Sequence, residues 1–273
     1  MTATLAPSGA PAALIAFLDE VRVAVDADLA QRLAPPADDP GKLIEAMHYA
    51  ATGPGKRLRP AVVIAAAEAC GGTREGAMPA ASAIEMLHAY TLVHDDLPAM
   101  DDDDERRGRP TVHIKFGEAI AILAGDGLLT QAFGTLAELG SSAAITVLAQ
   151  RAGAVELLGG QAIDLSQPPS SFQAIERLHA AKTGALFAAA AELGAIAAGA
   201  DAKTCASLGR YGMAIGIAFQ HADDRDDAEF VEHAETAAHR IRELSEQAHA
   251  IAGGFGERGG TLAAIASWFA SKS

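Results

Sequence analysis

Hydrophobic residues recur along most of this chain with the spacing of α-helices rather than of strands. Residues 11–33 form the first amphipathic stretch, which ends at a cluster of prolines and Gly41. Further apolar stretches with helical spacing follow at about 42–51, 59–70, 79–96, 116–138, 142–159, 172–199, 203–223 and 230–252. The loops between them are short, and no long polar linker interrupts the chain. The pattern predicts an all-α protein with a single domain over residues 1–273.

Composition narrows the class of protein. Half of the 273 residues are hydrophobic, which is enough for a sizeable core, and the formal net charge of −14 disfavours nonspecific nucleic-acid binding. A phosphate ligand must therefore meet a local basic site or a bridging metal ion. Cys70 and Cys205 lack CxxC spacing, so we expect neither a disulfide framework nor a cysteine-based zinc cluster. A reducing cytoplasm is the expected location.

Two segments bear on membrane targeting. Residues 1–12 contain no basic region ahead of an apolar stretch, so a secretory signal is not expected. Residues 183–200 are apolar enough for a membrane span, but Glu192 and three glycines interrupt them. A helix buried on all sides of a bundle has the same composition. We expect the buried helix and no membrane span.

An acidic segment closes the stretch 79–96 and carries the most chemical information. Residues 94–111 read HDDLPAMDDDDERRGRPT, so a dense run of carboxylates changes abruptly to arginines. Carboxylates this close repel one another unless cations or solvent screen them. Oxygen ligands select a hard cation such as magnesium, and the spacing does not match an EF-hand loop. An acidic surface loop would have the same composition, so this segment alone leaves both interpretations open.

A second acidic segment closes the stretch 203–223. Residues 219–227 read FQHADDRDD, in which Asp223 and Asp227 are four apart and share one helix face. Like charges at that spacing destabilise a helix unless a cation binds between them. Two such clusters, each closing a long apolar helix, predict a metal site between them across a bundle cavity.

One histidine and a basic segment complete the candidate chemistry. Ile84, His88, Thr91 and Asp95 recur at intervals of four, three and four, which places them on one stripe of a helix. A histidine on an apolar face is more often a hydrogen-bonded core residue than a ligand. Residues 53–59, GPGKRLR, put three cations after a glycine-rich turn, which suits phosphate binding but lacks the Walker pattern. A basic helix start on the surface would look the same.

These segments together resemble the trans-prenyl diphosphate synthases, and within them the bacterial farnesyl diphosphate synthases. The matching pieces, in chain order, are GKRLRP (55–60), HAYTLVHDDLPAMDDDDERRGRPTVHIKFGEAIAILAGD (88–126), GGQAIDL (159–165), KTGALF (182–187) and FQ..DD..D (219–227). The resemblance implies a bundle of about ten or more α-helices around a deep central cavity, the isoprenoid synthase type, usually as a homodimer.

The resemblance also implies roles for individual residues. Two aspartate motifs, Asp95, Asp96 and Asp101 in the first and Asp223, Asp224 and Asp227 in the second, hold three magnesium ions on the allylic diphosphate. Groups around that allylic substrate are Arg106, Gln161, Asp164, Lys182, Thr183 and Gln220. The pocket for isopentenyl diphosphate, which contacts no metal, is formed by Lys56, Arg59, His88 and Arg107. The residues expected to act in the reaction itself are Asp95, Asp101, Arg106, Lys182 and Asp223.

The reaction implied by the resemblance is that of a magnesium-dependent prenyltransferase. Metal ions and cations neutralise the departing diphosphate, so the allylic C–O bond ionises in a water-poor cavity and the isopentenyl double bond attacks. Thr91 lies one turn below Asp95 with the bulky Tyr90 beside it, which is similar to the cavity floor of short-chain members. The expected product from dimethylallyl or geranyl diphosphate is therefore the fifteen-carbon farnesyl diphosphate.

The chain departs from the family pattern after Asp227. The family continues through a loop with a Gly-Lys signature, a further aspartate and a second lysine, whereas this chain leads almost at once into a terminal helix. No lysine occurs between Lys203 and Lys272. Nothing local can replace those lysines except Arg225, Arg240 or Arg242.

This departure keeps a second hypothesis open. A family member that binds prenyl diphosphates without catalysis, or that assists a catalytic subunit, would also carry these motifs, and loss of a lid would admit water to the carbocation. The intact first motif and isopentenyl pocket favour the enzyme. A class I terpene cyclase is a third hypothesis, but its second motif carries a glutamate eight residues after the first position, where Val231 stands here.

Overall fold

The helices predicted from the hydrophobic pattern form a bundle in a computed structural model that describes residues 9–166 and 169–272. The expectation for residues 1–12 falls mostly outside these ranges. Thirteen α-helices occur in the described ranges: α1 (Ala12–Arg32), α2 (Leu43–Ala51), α3 (Leu58–Ala69), α4 (Arg74–Asp95), α5 (Val112–Phe116), α6 (Glu118–Leu136), α7 (Ser142–Ala152), α8 (Leu157–Ser166), α9 (Phe172–His179), α10 (Ala185–Ala197), α11 (Ala202–Asp226), α12 (Ala234–Gly253) and α13 (Gly260–Ala270). The prediction of an all-α fold is confirmed.

The two helices that end in aspartates begin at well-formed caps. The side chain of Thr73 accepts a hydrogen bond from the Gly76 amide at 3.1 Å, which starts α4. Asp201 accepts one from the Thr204 amide at 2.7 Å and starts α11. Both helices then carry carboxylates in their last turn, where the helix dipole disfavours negative charge. That local cost indicates that the acidic ends serve a purpose other than helix stability.

A π turn joins α9 to α10 without interrupting the helical rod. It spans Ala180–Gly184 and holds Lys182 and Thr183. Such turns widen the helix locally and are frequent at functional sites. The prediction of one long helix over 172–199 is therefore correct in extent, while the π turn is a detail that periodicity does not reveal.

Two parts of the helix prediction were wrong. The single helix expected over 142–159 is split, because α7 ends at Ala152 and Gly153 adopts an extended conformation (φ −76°, ψ −176°) before α8 begins. The last helix, α13, was missed because the glycines before it read as chain breakers. Tyr211, which is fully buried in α11, donates a hydrogen bond to the carbonyl of Leu262 in α13 at 2.8 Å.

The centre of the bundle is α10, which packs against α3, α4, α7 and α11. Glycines allow the closest approaches: a Cβ atom on Gly194 would collide with the carbonyl of Val63, and one on Gly212 with that of Phe187. Two helical stretches are apolar and long enough to cross a membrane, Glu118–Leu139 and Phe172–Ala197. In the second stretch, 72% of the most apolar segment is buried inside the bundle, as expected for a core helix.

A short ribbon turns the chain back towards the end of α4. Its strands, β1 (Glu105–Arg106) and β2 (Arg109–Pro110), are antiparallel. The two residues at the turn, Arg107 and Gly108, both have positive φ, at 55° and 76°. Positive φ at both central positions is the requirement of a tight type I′ hairpin. The hairpin separates two neighbouring arginines: Arg106 bonds to Asp96, whereas Arg107 bonds to the carbonyl of Pro54.

Candidate active site

A deep cavity of about 1090 Å³ lies among α3, α4, α8, the π turn, α10 and α11, at the upper end of the size range for small-molecule sites. Predicted site residues that line it are Lys56, Arg59, His88, Tyr90, Thr91, Asp95, Arg107, Gln161, Lys182, Thr183, Gln220 and Asp223. Six predicted residues do not line it: Asp96, Asp101, Arg106, Asp164, Asp224 and Asp227. The structure thus brings one carboxylate from each acidic segment to a shared cavity.

Two of the carboxylates on the cavity wall, those of Asp95 and Asp223, lack full charge compensation, whereas the third, Glu85, is paired with Arg57. Burial raises the pKa of Asp95 to about 6, and Asp101 adds to the effect while Lys182 opposes it. Burial also raises the pKa of Asp223, reinforced by Asp227 and opposed by Lys56. Each group is therefore partly desolvated and only partly compensated by protein cations. A divalent ion at this position would supply the missing positive charge.

The rest of the first motif positions the loop after α4. Asp96 is buried and accepts a hydrogen bond from Arg106 Nε at 2.6 Å, and Arg106 Nη2 also donates to Asp103 at 3.2 Å. Burial raises the pKa of Asp96 in spite of Arg106. Asp101 is exposed, and its amide bonds to the carbonyl of Asp95 at 2.9 Å. In this structure Arg106 therefore holds the acidic loop against the end of α4, and neither Asp96 nor Asp101 lines the cavity.

The second motif is divided between the cavity and the interior. Asp223 faces the cavity, whereas Asp224 is buried and accepts hydrogen bonds from Gln220 Nε2 and His179 Nε2, both at 2.9 Å. Although burial opposes its charge, these two bonds lower the pKa of Asp224. Asp227 is the exposed C-cap of α11. The carboxylate of Asp224 thus bonds to Gln220 and His179 and does not line the cavity, a position that the sequence pattern did not predict.

The basic side of the cavity is formed by the start of α3 and by the hairpin. Arg59 lies over the ring of Phe187, 4.9 Å from its centroid, and burial lowers the pKa of its guanidinium to about 10, so it stays charged at neutral pH. Arg107 Nη1 donates to the carbonyl of Pro54 at 2.6 Å. Burial, together with Arg59 and Arg107, lowers the pKa of His88 far below its ordinary value. His88 therefore enters this group as a neutral imidazole.

Donor atoms around the cavity lack partners in the protein. Within residues 9–166 and 169–272, Arg59 Nε and Gln161 Nε2 are buried and make no hydrogen bond. Lys182 pairs with Asp164, and the Thr183 hydroxyl donates to Gln220 Oε1 at 2.9 Å. Buried donors are rarely left unsatisfied in proteins. Two of them around one cavity, Arg59 on α3 and Gln161 on α8, point to acceptor oxygens of a ligand, as diphosphates supply.

Arg57 is the main residue that the sequence interpretation overlooked, although it lies between two predicted ones. It is the left-handed cap of α3 (φ 48°) and bonds to Asp26 at 2.7 Å, to Glu85 at 2.6 Å and to the carbonyl of Gly53 at 2.7 Å. The isolated Glu85 in the apolar stripe of α4 was an available signal for a buried ionic partner. Arg57 fixes the turn that presents Lys56 and Arg59.

Two of the three arginines that could replace the family's missing lysines already have partners elsewhere in the protein. Arg225 donates to the carbonyl of Lys272 at 2.8 Å, and Arg240 is paired with Glu176. The structure shows two other neighbours of the second motif, one lysine and one histidine. Lys272 Nζ lies 3.6 Å from Asp226, and His179 bonds to Asp224. Both come from parts of the chain remote in sequence, which spacing within the motif does not reveal.

The donor set of the cavity fits magnesium. The groups offered by Asp95 and Asp223 are carboxylate oxygens, and the wide cavity between the helices leaves room for water and phosphate oxygens to complete an octahedral shell. Their raised pKa values show that each carboxylate gains from a nearby cation.

Known proteins share both the fold and the motifs. The polyprenyl synthetase family matches residues 40–237. A geranylgeranyl diphosphate synthase of Cyanophora paradoxa is 43% identical over 77% of this chain and 73% of its own length, and a farnesyl diphosphate synthase of Geobacillus stearothermophilus is 40% identical over 79% and 76%. A crystal structure of an FPP/GFPP synthase from Zymomonas mobilis superposes with a TM-score of 0.86 at 40% identity, over 93% of this chain and 97% of that one.

A helical bundle with acidic helix ends and unpaired phosphate donors around one deep cavity defines an isoprenoid synthase, and the predicted fold of that type is confirmed. The chain belongs to the polyprenyl synthetase family and is a magnesium-dependent prenyltransferase of the short-chain trans-prenyl diphosphate synthase class. Its similarity to bacterial farnesyl diphosphate synthases is likewise confirmed. The length of its product remains a prediction.

Proposed function

We propose that this chain is a farnesyl diphosphate synthase, which condenses isopentenyl diphosphate with dimethylallyl or geranyl diphosphate and stops at fifteen carbons. The observation that carries the proposal is a single cavity in which Asp95 and Asp223 face a group of cations while Tyr90 and Thr91 lie below Asp95 on the same wall. The relatives include both farnesyl and geranylgeranyl diphosphate synthases. The support for the shorter product is therefore the bulky phenol ring of Tyr90 on the cavity wall, five residues before Asp95.

The polar residues of the cavity divide into two diphosphate sites. Asp95 and Asp223 would hold the magnesium ions. We propose that three ions bind, as the family resemblance implies. Magnesium, when bound, neutralises the charge that develops on the departing diphosphate. Lys182 and Gln161 donate hydrogen bonds to the oxygens of the allylic diphosphate. Lys56, Arg59 and Arg107 hold the isopentenyl diphosphate on the opposite side with charge-assisted hydrogen bonds.

The apolar wall protects the reacting carbon atoms. Leu92, Leu157, Leu186 and Phe219 line the cavity and exclude water from the allylic cation. The allylic C–O bond breaks, the isopentenyl double bond attacks the allylic carbon to form a new C–C bond, and a proton leaves the adjacent carbon. The released diphosphate is the acceptor of that proton. No side-chain nucleophile is needed, because the isopentenyl double bond supplies the electron pair for the new C–C bond.

The test of this function is an elongation assay with purified protein, magnesium, isopentenyl diphosphate and allylic partners of five, ten and fifteen carbons. The five- and ten-carbon partners should be consumed and farnesyl diphosphate should accumulate. The absence of any elongated product at high enzyme concentration would contradict the prenyltransferase activity. Efficient elongation of the fifteen-carbon partner would contradict only the proposed product length.

The proposal includes a homodimer in the cytoplasm. The helix α6 supports the dimer, because only 39% of the most apolar segment within Glu118–Leu139 is buried. Ile114, Ile122 and Leu123, which are near one another in sequence, also expose apolar side chains. Light scattering during size-exclusion chromatography should give a molar mass of two chains, and the Leu123→Glu variant should have the mass of one chain. Val23→Glu, on the exposed side of α1, is the matched control and should leave the mass unchanged.

The cysteines are free thiols in the described structure, which suits a reducing compartment.

A further inference from the structure

A compact group of three polar side chains lies behind the cavity wall. His179 ends α9, and His221 and Asp224 belong to α11. One nitrogen of each histidine and one carboxylate oxygen lie within 4.8 Å of one another, and the three residues are only 4%, 1% and 6% exposed. None of them lines the cavity that holds the substrates. The group is therefore a separate, buried cluster.

Two nitrogen atoms of this cluster have no partner. His179 Nε2 bonds to Asp224, but His179 Nδ1 and His221 Nε2 make no hydrogen bond to any described residue. Buried polar atoms in folded proteins are rarely left without a hydrogen-bond partner. Two unpaired imidazole nitrogens within a cluster of three side chains indicate that a ligand outside the protein satisfies the group.

The surroundings hold the three side chains without occupying those nitrogens. The ring of Phe172 stacks on His221 with centroids 5.2 Å apart and an interplanar angle of 8°, and the two imidazoles meet edge to face at 4.6 Å. Gln220 donates to Asp224 Oδ1, which leaves Oδ2 directed towards His179. Metal sites in proteins use outer contacts of this kind to orient their ligands.

We infer that His179, His221 and Asp224 bind one divalent transition-metal ion, with zinc as the best match. Two imidazoles and one carboxylate are a zinc ligand set, whereas magnesium prefers oxygen ligands alone. A tetrahedral ion with bonds of about 2.0–2.2 Å needs ligand atoms about 3.3–3.6 Å apart, so modest side-chain shifts would close the cluster. The fourth position stays open for water.

The proposed ion would stabilise the wall of the cavity from behind. His179 directly precedes the π turn that carries Lys182, and Asp224 directly follows Asp223. Binding would tie this turn to α11, so the residues that face the substrate would be fixed relative to each other. The ion also accounts for the inward position of Asp224, which the sequence pattern assigns to magnesium. Its binding does not depend on the proposed product or on turnover.

The test is a titration of chelator-treated full-length protein with cobalt(II), a coloured substitute for zinc, in the presence of excess magnesium. Wild-type protein should develop the strong visible absorption of a low-coordinate nitrogen-bound cobalt ion, and added zinc should abolish it. Zinc should also raise the thermal midpoint of unfolding. A wild-type spectrum showing only the weak absorption of octahedral cobalt, with no thermal shift, would overturn the inference.

Variants assign the signal to these residues. His221→Leu and His179→Gln should each weaken zinc binding by more than about tenfold. Asp95→Asn should retain the band, which separates this site from the magnesium site. His239→Gln, an exposed imidazole beside Glu243 on α12, is the matched control and should behave as wild type. Retention of wild-type zinc affinity by both cluster variants would contradict the inference, and circular dichroism identifies any variant that fails to fold.

Discussion

At the scale of single residues, the six aspartates of the two motifs are not equivalent. Asp95 and Asp223 line the cavity, while Asp96 and Asp224 are turned towards Arg106 and His179. The sequence places all six in the motifs, but only side-chain packing decides which carboxylates face the substrate. A carboxylate whose charge is already compensated by a protein partner outside the cavity lining is less available to magnesium in the cavity.

This difference predicts a hierarchy of activities. Asp95→Asn and Asp223→Asn should each lower kcat by roughly a hundredfold or more, because each removes charge from the group that stabilises the departing diphosphate. Steady-state kinetics with geranyl and isopentenyl diphosphate would measure the effect. Asp226→Asn is the control, since Asp226 is exposed and pairs only with Lys272 among the described residues. An equal loss in the control would contradict the assignment.

The phenol ring of Tyr90 gives a second prediction at this scale. Tyr90 is buried on the cavity wall, with its ring 5.3 Å from that of His94. Tyr90→Ala should open space beneath the growing chain and shift the product towards twenty carbons or more, as seen by chromatography of the dephosphorylated products. Tyr90→Phe keeps the ring and should leave the product unchanged. If the alanine variant still stops at fifteen carbons, Tyr90 does not set the length.

At the scale of secondary-structure elements, periodicity predicts most helices but not their interruptions or partners. The long helices α4, α10 and α11 are predicted because each buries a wide apolar surface. The break at Gly153 and the π turn depend on tertiary contacts that a one-dimensional pattern does not contain. The same limit explains Arg57: the sequence shows a cation near Arg59, but only the assembled α1, α3 and α4 show that its guanidinium is buried between two carboxylates.

The junction of these three helices carries a stability prediction. Arg57 and Glu85 are 5% and 4% exposed and joined at 2.6 Å, so Arg57→Met would leave the buried carboxylate of Glu85 without its hydrogen-bonded cation. The free energy of unfolding should fall by about 3–5 kcal/mol in denaturant titrations. Glu85→Gln in the same chain should recover part of the loss.

The matched control for this junction is Arg74→Met. Arg74 forms longer, more exposed pairs with Glu20 at 3.3 Å and Glu68 at 3.8 Å. Pairs of that kind contribute about 0–1 kcal/mol. A loss in Arg74→Met as large as that in Arg57→Met would show that the buried position of Arg57 has no special importance.

At the scale of the whole molecule, the overall charge and the charge of the site have opposite signs. The chain carries a formal net charge of −14, yet Lys56, Arg59 and Arg107 gather on one side of the cavity. The acidic composition correctly indicated that a phosphate ligand needs local cations or a metal. It could not show that the bundle brings a basic wall from α3 opposite acidic ends from α4 and α11, because that arrangement depends on how the helices pack.

This division of charge predicts different metal requirements for the two substrates. Isopentenyl diphosphate meets the basic wall, so its affinity, measured by calorimetry, should change little when magnesium is replaced by a chelator. A non-ionising thio analogue of geranyl diphosphate meets Asp95 and Asp223, where carboxylates repel an anion unless a cation lies between them. Its affinity should fall by more than about tenfold, or 1.4 kcal/mol, in the chelator.

A variant separates the two sites within the same measurement. Arg59→Gln removes a charge-assisted donor worth about 1.5–3 kcal/mol from the basic wall, so it should weaken isopentenyl diphosphate binding by roughly ten- to a hundredfold. The magnesium-dependent binding of the allylic analogue should be nearly unchanged. If chelation abolished the binding of both ligands alike, the metal would serve both diphosphates, and the separation of the cavity into an acidic and a basic half would be wrong.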